Sequence, residues 1–131
     1  MKSPVWITVA IATAIHEEAI YEFGGLSGLP DQRLLESALD RPRNPLAHEP
    51  RSSIFRLAAT LCLGIAKNHP FSDGNKRTAL LATRAFLYMN GQEFEPPQDD
   101  EVMTLVAAAE GSLNEQQLAA WLKKCSTPRR W

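Results

Sequence analysis

His69-Pro70-Phe71-Ser72-Asp73-Gly74-Asn75-Lys76-Arg77-Thr78-Ala79-Leu80-Leu81-Ala82-Thr83-Arg84-Ala85-Phe86-Leu87-Tyr88-Met89-Asn90 changes character partway along. Its first nine residues gather imidazole, carboxylate, amide, ammonium and guanidinium groups, and the remainder is apolar on nearly every side. The second part, roughly Asn75 to Asn90, predicts a helix that is polar only at its opening. Leu80, Leu81, Ala82, Ala85, Phe86, Leu87 and Met89 go nearly all round it, so the helix belongs at the centre of a bundle. Gly91 is its natural stop.

Upstream, Ser52 or Ser53 caps a second long helix. It sets Ile54, Leu57, Ala58, Leu61 and Ile65 into one stripe and ends at Asn68, because Pro70 disfavours helical geometry at His69. Earlier still, Thr8 caps a helix to Phe23, which Gly24-Gly25 ends, and Asp31 caps a short one that Pro42 closes by Arg41. Arg41 to Pro50, with three prolines, reads as a surface loop. Downstream, Gln92 to Gln98 is loop or a short extended piece, and Asp99 or Asp100 caps a helix to about Glu110. Asn114 with Gln117 forms a capping box for a last helix that ends near Cys125. Alternating β-type runs are scarce, and the prediction is an all-α fold.

The chain has 131 residues, 44% of them apolar and 22% charged, with a formal net charge of -1. That length suits a single domain, 1–131, with 127–131 as a flexible tail. Near-neutral charge argues against wholesale nucleic-acid binding, which usually carries a basic excess. Two cysteines, Cys62 and Cys125, form neither a disulfide framework nor a zinc spacing, which fits a reducing, cytoplasmic setting. The apolar run Val5 to Ile15, with Ala12-Thr13-Ala14, imitates a secretion leader. Only Lys2 precedes it, however, and His16-Glu17-Glu18-Ala19-Ile20 continues the same helix. No stretch is long enough for a membrane span.

The chemistry concentrates between the two apolar helices. Gly74 lets a ligand approach backbone closely, and the first N–H groups of the next helix form an anion site. Lys76 and Arg77 lie in that first turn, where the helix dipole favours anions and disfavours cations. At about 4 Å and an effective dielectric near 20, each cation–phosphate contact is worth on the order of 4 kcal/mol before desolvation. That outweighs the few tenths of a kcal/mol lost against the dipole. Asp73 supplies a hard oxygen of the kind Mg²⁺ takes when nucleotide phosphates and water complete its shell. His69 is the evident group able to accept a proton near neutral pH. His16, beside Glu17 and Glu18, reads as a helix-surface or partly packed residue. His48 has no partner pattern, and Trp6, Trp121 and Tyr21 read as core or groove.

HPFSDGNKRT resembles the signature of the Fic/Doc superfamily, H-x-F-x-[DE]-[AG]-N-[GK]-R, and Lys76 resembles the Doc (death on curing) toxin branch. Ile15-His16-Glu17-Glu18, Phe23-Gly24-Gly25-Leu26, Leu34-Leu35-Glu36-Ser37-Ala38-Leu39 and Leu118-Ala119-Ala120-Trp121-Leu122 are similar to Doc as well. The resemblance implies a compact helical bundle around the helix that follows the motif. It also implies a toxin of a toxin–antitoxin pair, with ATP and Mg²⁺ as cofactors. Fic relatives transfer AMP to a protein hydroxyl, whereas Doc relatives phosphorylate a threonine of elongation factor Tu and stop translation.

By that resemblance His69 would be the general base, Asp73 the Mg²⁺ ligand, and Asn75, Lys76 and Arg77 the phosphate contacts. Gly74 would add backbone N–H groups, while Pro70 and Phe71 would shape the motif. The residues around Arg41 to Arg51 would lie near the mouth of the site. A Phd-like antitoxin would bind a groove through its C-terminal segment. Fic enzymes carry glycine where Lys76 stands and a second arginine where Leu80 stands. Both differences favour γ-phosphoryl over AMP transfer. The inhibitory [ST]-x-x-x-E-[GN] pattern has no match, since Glu18 follows Thr13 and Glu17, so restraint in trans is expected. The alternatives are AMP transfer, a ribonuclease toxin, and a catalytically silent nucleotide-binding module.

Overall fold

The computed structural model describes residues 3–97, 104, 107 and 110–130. Its elements are α1 (Val9–Phe23), α2 (Gln32–Asp40), α3 (Arg43–His48), α4 (Ile54–Asn68), α5 (Asn75–Met89), β1 (Gln92–Phe94), α6 (Glu115–Lys124) and β2 (Ser126–Pro128). The fold is all-α apart from the two short strands. Most of the helix expected from Asp99 or Asp100 to about Glu110 lies outside the described residues; Thr104, Ala107 and Glu110 are helical.

Four helices begin where a side chain can satisfy a free backbone N–H. Thr8 accepts from Ile11, Asp31 from Leu34, Ser53 from Arg56 and Asn114 from Gln117, the last as a complete capping box. Helix α5 is buried as its composition requires, with Ala79, Leu80, Ala82, Phe86 and Leu87 in the core. It packs chiefly on α4, and α4 in turn meets α2, α3 and α6, so these two helices share the centre. Gly64 lets α2 close on α4: a Cβ there would lie 3.1 Å from the Ala38 carbonyl oxygen.

Two expectations are corrected. Residues 41–50 are not simply loop, because Arg43–His48 is helical. Pro42 is its N-cap and Pro45 lies in its first turn, where a missing N–H costs no intrahelical bond. Residues 127–129 are not a frayed tail either. Ser126–Pro128 pairs antiparallel with β1, in the register Gln92↔Pro128 and Phe94↔Ser126. Beyond it the Arg129 N–H donates to the Gly91 carbonyl (2.8 Å), and its guanidinium donates to the Tyr88 carbonyl (2.7 Å). Among the described residues no helix is long and apolar enough to cross a membrane.

Candidate active site

Helix α4 stops at His69, which takes the left-handed conformation (φ 50°, ψ 55°) ahead of Pro70. Among the described residues it is the one non-glycine residue at positive φ. Such a backbone costs about 1–2 kcal/mol, a strain that persists only where the surroundings hold it. Here they do. The Asp31 N–H donates to the Pro70 carbonyl (2.7 Å), and Phe71 is buried.

Asn75 does most of the internal bracing. Its Oδ1 accepts from the Phe71 N–H (2.9 Å) and its Nδ2 donates to the Phe71 carbonyl (2.8 Å). These two bonds fix the orientation of the amide, so the group 3.4 Å from His69 Nδ1 is an N–H donor. The Asn75 side chain is therefore buried and engaged with the loop. Of the groups this residue could offer a ligand, the structure leaves its backbone N–H.

Gly74 caps α5 in the left-handed region (φ 75°) and offers no side chain to its N–H groups. The first turn of α5 contains no acidic residue, and Lys76 and Arg77 are exposed. Among the described residues neither is ion-paired. The Arg77 guanidinium lies over the Phe23 ring, 4.0 Å from its centroid. His69, Ser72, Asp73, Gly74, Asn75, Lys76 and Arg77 together line a cavity of about 330 Å³. The motif residues expected to act together thus share one depression, with free N–H donors and two cations at its wall.

The Asp73 carboxylate is exposed and held from two sides. Oδ2 accepts from the Leu26 N–H (3.0 Å) and Oδ1 from the Gly74 N–H (2.9 Å). Each oxygen keeps a further lone pair for a cation. Among the described residues no group of three His, Cys, Asp or Glu side chains could hold a metal. A single hard carboxylate beside uncapped helix N–H groups is a donor set that would fit Mg²⁺, which takes water and phosphate oxygens as its other ligands.

A larger depression of about 430 Å³ lies between α4 and α6, lined by Ser53, Arg56, Glu115, Gln116 and Ala119. Its charges are already matched. Arg56 pairs with Glu49 (2.8 Å) and Glu115 (3.7 Å), and the Thr60 hydroxyl donates to Glu115. The unsatisfied chemistry is in the smaller cavity.

Some sequence readings change. Residues 41–51 do not line the cavity. Ser52 and Arg56 tie them to the N-terminal end of α4, while His69 stands at its C-terminal end, about 22 Å away for 15 residues. His48 is exposed, and its Nδ1–H donates to the Asn44 carbonyl (3.0 Å). Tyr21 is 93% exposed rather than core. Trp6 stacks on Phe86 and Trp121 meets Phe94 edge-on.

His16 is the largest correction. It is 1% exposed, not a surface residue, and touches the motif loop. The available signal was its four-residue spacing from Ala12, on the face of α1 that also buries Ala19.

With this geometry, the model of the Fic/DOC family matches residues 6–87. The chain is 34% identical over 112 residues to "Protein kinase doc" of Escherichia phage P1, covering 85% of this chain and 87% of that protein. It is also 33% identical over 97 residues to "Toxin Doc" of Mycolicibacterium smegmatis, covering 70% and 75%. The chain belongs to the Fic/Doc family. The Fic/Doc match begins in the residues before α1 and ends within α5, and so spans every segment that touches the cavity.

Proposed function

We propose that this protein is a Doc-type toxin that transfers the γ-phosphate of ATP to a threonine hydroxyl of elongation factor Tu, arresting translation in the cytoplasm. The observation that carries the reading is the cavity itself. The exposed imidazole of His69 shares it with a helix N-terminus that has no side-chain cap, two cations without an ion-pair partner among the described residues and one exposed carboxylate.

His69 would accept the target hydroxyl proton as the hydroxyl oxygen bonds to the γ-phosphorus and the bond to the ADP oxygen breaks. General-base assistance of this kind contributes about 10²- to 10⁴-fold. The N–H groups at the start of α5, with Lys76 and Arg77, would orient the phosphates and stabilise their charge, which supplies most of the rate in phosphoryl transfer. Asp73 would hold Mg²⁺, which neutralises phosphate charge when bound. The kinase-named phage relative supports γ-phosphoryl over AMP transfer, as does Lys76 in the place of the Fic glycine. Both Doc relatives support restraint by an antitoxin, for which a Phd-like C-terminal segment is the proposed form.

The test is incubation of the protein and its His69→Ala variant with Mg²⁺, bacterial lysate and either α- or γ-labelled ATP. The expected result is label on elongation factor Tu from the γ position only, absent with the variant. Transfer from the α position would move the protein to Fic-type AMP transfer. Absence of His69-dependent label from both would refute either transferase reading.

A further inference from the structure

We propose that His16 is a positioning residue for the catalytic loop, acting through the Asp73 backbone; its catalytic consequence rests on the function proposed above. The ring sits on α1, 57 residues from the loop, and its Nε2 lies 2.8 Å from the Asp73 carbonyl oxygen. A carbonyl can only accept, so Nε2 carries the proton and donates it. The same ring lies flat on Phe71, with centroids 3.8 Å apart and planes within 7°. One side chain thus holds the loop both at its buried anchor and at the carbonyl of its carboxylate-bearing residue.

The other nitrogen shows that this is more than packing. Nδ1 is buried and has no hydrogen-bond partner among the described residues. A buried unsatisfied polar atom is a cost that phenylalanine or leucine would avoid at the same position. The imidazole supplies what those residues lack, a donor at Nε2 aimed at Asp73. Its bond fixes the peptide between Asp73 and Gly74, and the Gly74 N–H in turn fixes Asp73 Oδ1. Without the donor, the peptide plane is free to turn. The carboxylate and the first N–H of α5 then lose their common orientation. Misplacing reacting groups by about 1 Å costs up to 10²-fold in rate.

Two substitutions separate the donor from the ring. His16→Phe keeps the flat contact with Phe71 and removes the donor, whereas His16→Gln keeps an N–H donor of similar reach and removes the ring. His16→Phe is expected to remain folded, to lose hydrogen-exchange protection at the Leu26 and Gly74 amides, and to lose about 10²-fold in γ-label transfer. His16→Gln should recover that protection and most of the rate. In the wild-type protein, ¹⁵N spectroscopy should find the His16 ring protonated at Nε2. That measurement needs no variant. The Nδ1-protonated form, wild-type amide protection in His16→Phe, or equal losses in both variants would each overturn the proposal. Because the ¹⁵N and exchange measurements use no nucleotide, they decide the loop tie even if the protein transfers no label.

Discussion

Gly25→Ala should slow phosphate transfer about 10²-fold without unfolding the protein, for a reason that a matched substitution next door can isolate. Gly25 has φ +118°, and an added Cβ would lie 2.7 Å from Asp73 Oδ2, 3.0 Å from Ile20 Cδ1 and 3.3 Å from Asp73 Cγ. The first contact is about 0.7 Å short of ordinary van der Waals separation. The carboxylate must withdraw by most of that distance, and the adjacent Leu26 N–H, which holds the same oxygen, must yield with it. Backbone strain at this φ costs about 1–3 kcal/mol of stability. The displacement of Asp73 approaches the 1 Å shift that reduces rates about 10²-fold.

Gly24→Ala provides the control. Gly24 also has positive φ (+84°), yet nothing lies within 4 Å of its added Cβ. It should lose about 1–3 kcal/mol and keep its activity. Urea denaturation gives the stabilities, and γ-label transfer at several Mg²⁺ concentrations gives the rates. Gly25→Ala should need more Mg²⁺ and remain slow at saturation, while Gly24→Ala follows the wild type. Equal rates for Gly25→Ala and wild type would refute the assignment of Asp73 to the reacting centre.

Three other predictions follow from the geometry. His69→Gly and His69→Ala should both abolish label transfer and growth arrest, but the glycine variant should be about 1 kcal/mol the more stable, because the left-handed backbone at this position suits glycine; urea midpoints would check the order. Asn75→Asp puts a carboxylate oxygen against the Phe71 carbonyl in a buried site and should cost about 2–3 kcal/mol along with activity, again read from urea midpoints. Burial pushes the Cys62 thiol up from 9.0 to about 11, against a smaller opposing effect of its hydrogen bond to Thr83. The unfolded chain therefore loses this proton first as pH rises, and stability should be unaffected below pH 9 and fall by about 2–3 kcal/mol between pH 9 and 11. Cys62→Ala should flatten that slope relative to the wild type.

What was legible in the sequence was what is decided over a few residues. Thr8, Asp31, Ser53 and Asn114 each cap the helix expected of them, because a cap needs only a side-chain oxygen and an N–H three residues on. The break at Pro70 and the uncapped start of α5 are local in the same sense. The bonds of Asn75 also span only four residues, but nothing in its type separates an amide bound to backbone from one turned to a phosphate. Contacts across the fold were harder. His16 reads as a helix-surface or partly packed histidine because its partner stands 57 residues away. The pairing of Ser126–Pro128 with Gln92–Phe94 shows no alternation in strands three residues long. Helix α3 was hidden by its prolines, which are harmless where a helix begins.

The contacts from α1 and Leu26 to the motif loop bear on how activity arises during synthesis. Translation delivers these residues well before the loop, which they reach only across separations of 47 and 57 residues. Closing such loops requires the apolar faces of α4 and α5 to be collapsed already, since the loop-closure entropy has to be offset by tertiary burial. A nascent chain that has emerged only through Arg77 would carry the whole motif without the α5 packing that orients it. Competence for transfer should therefore appear together with the cooperative folding transition, after the chain has extended past α5.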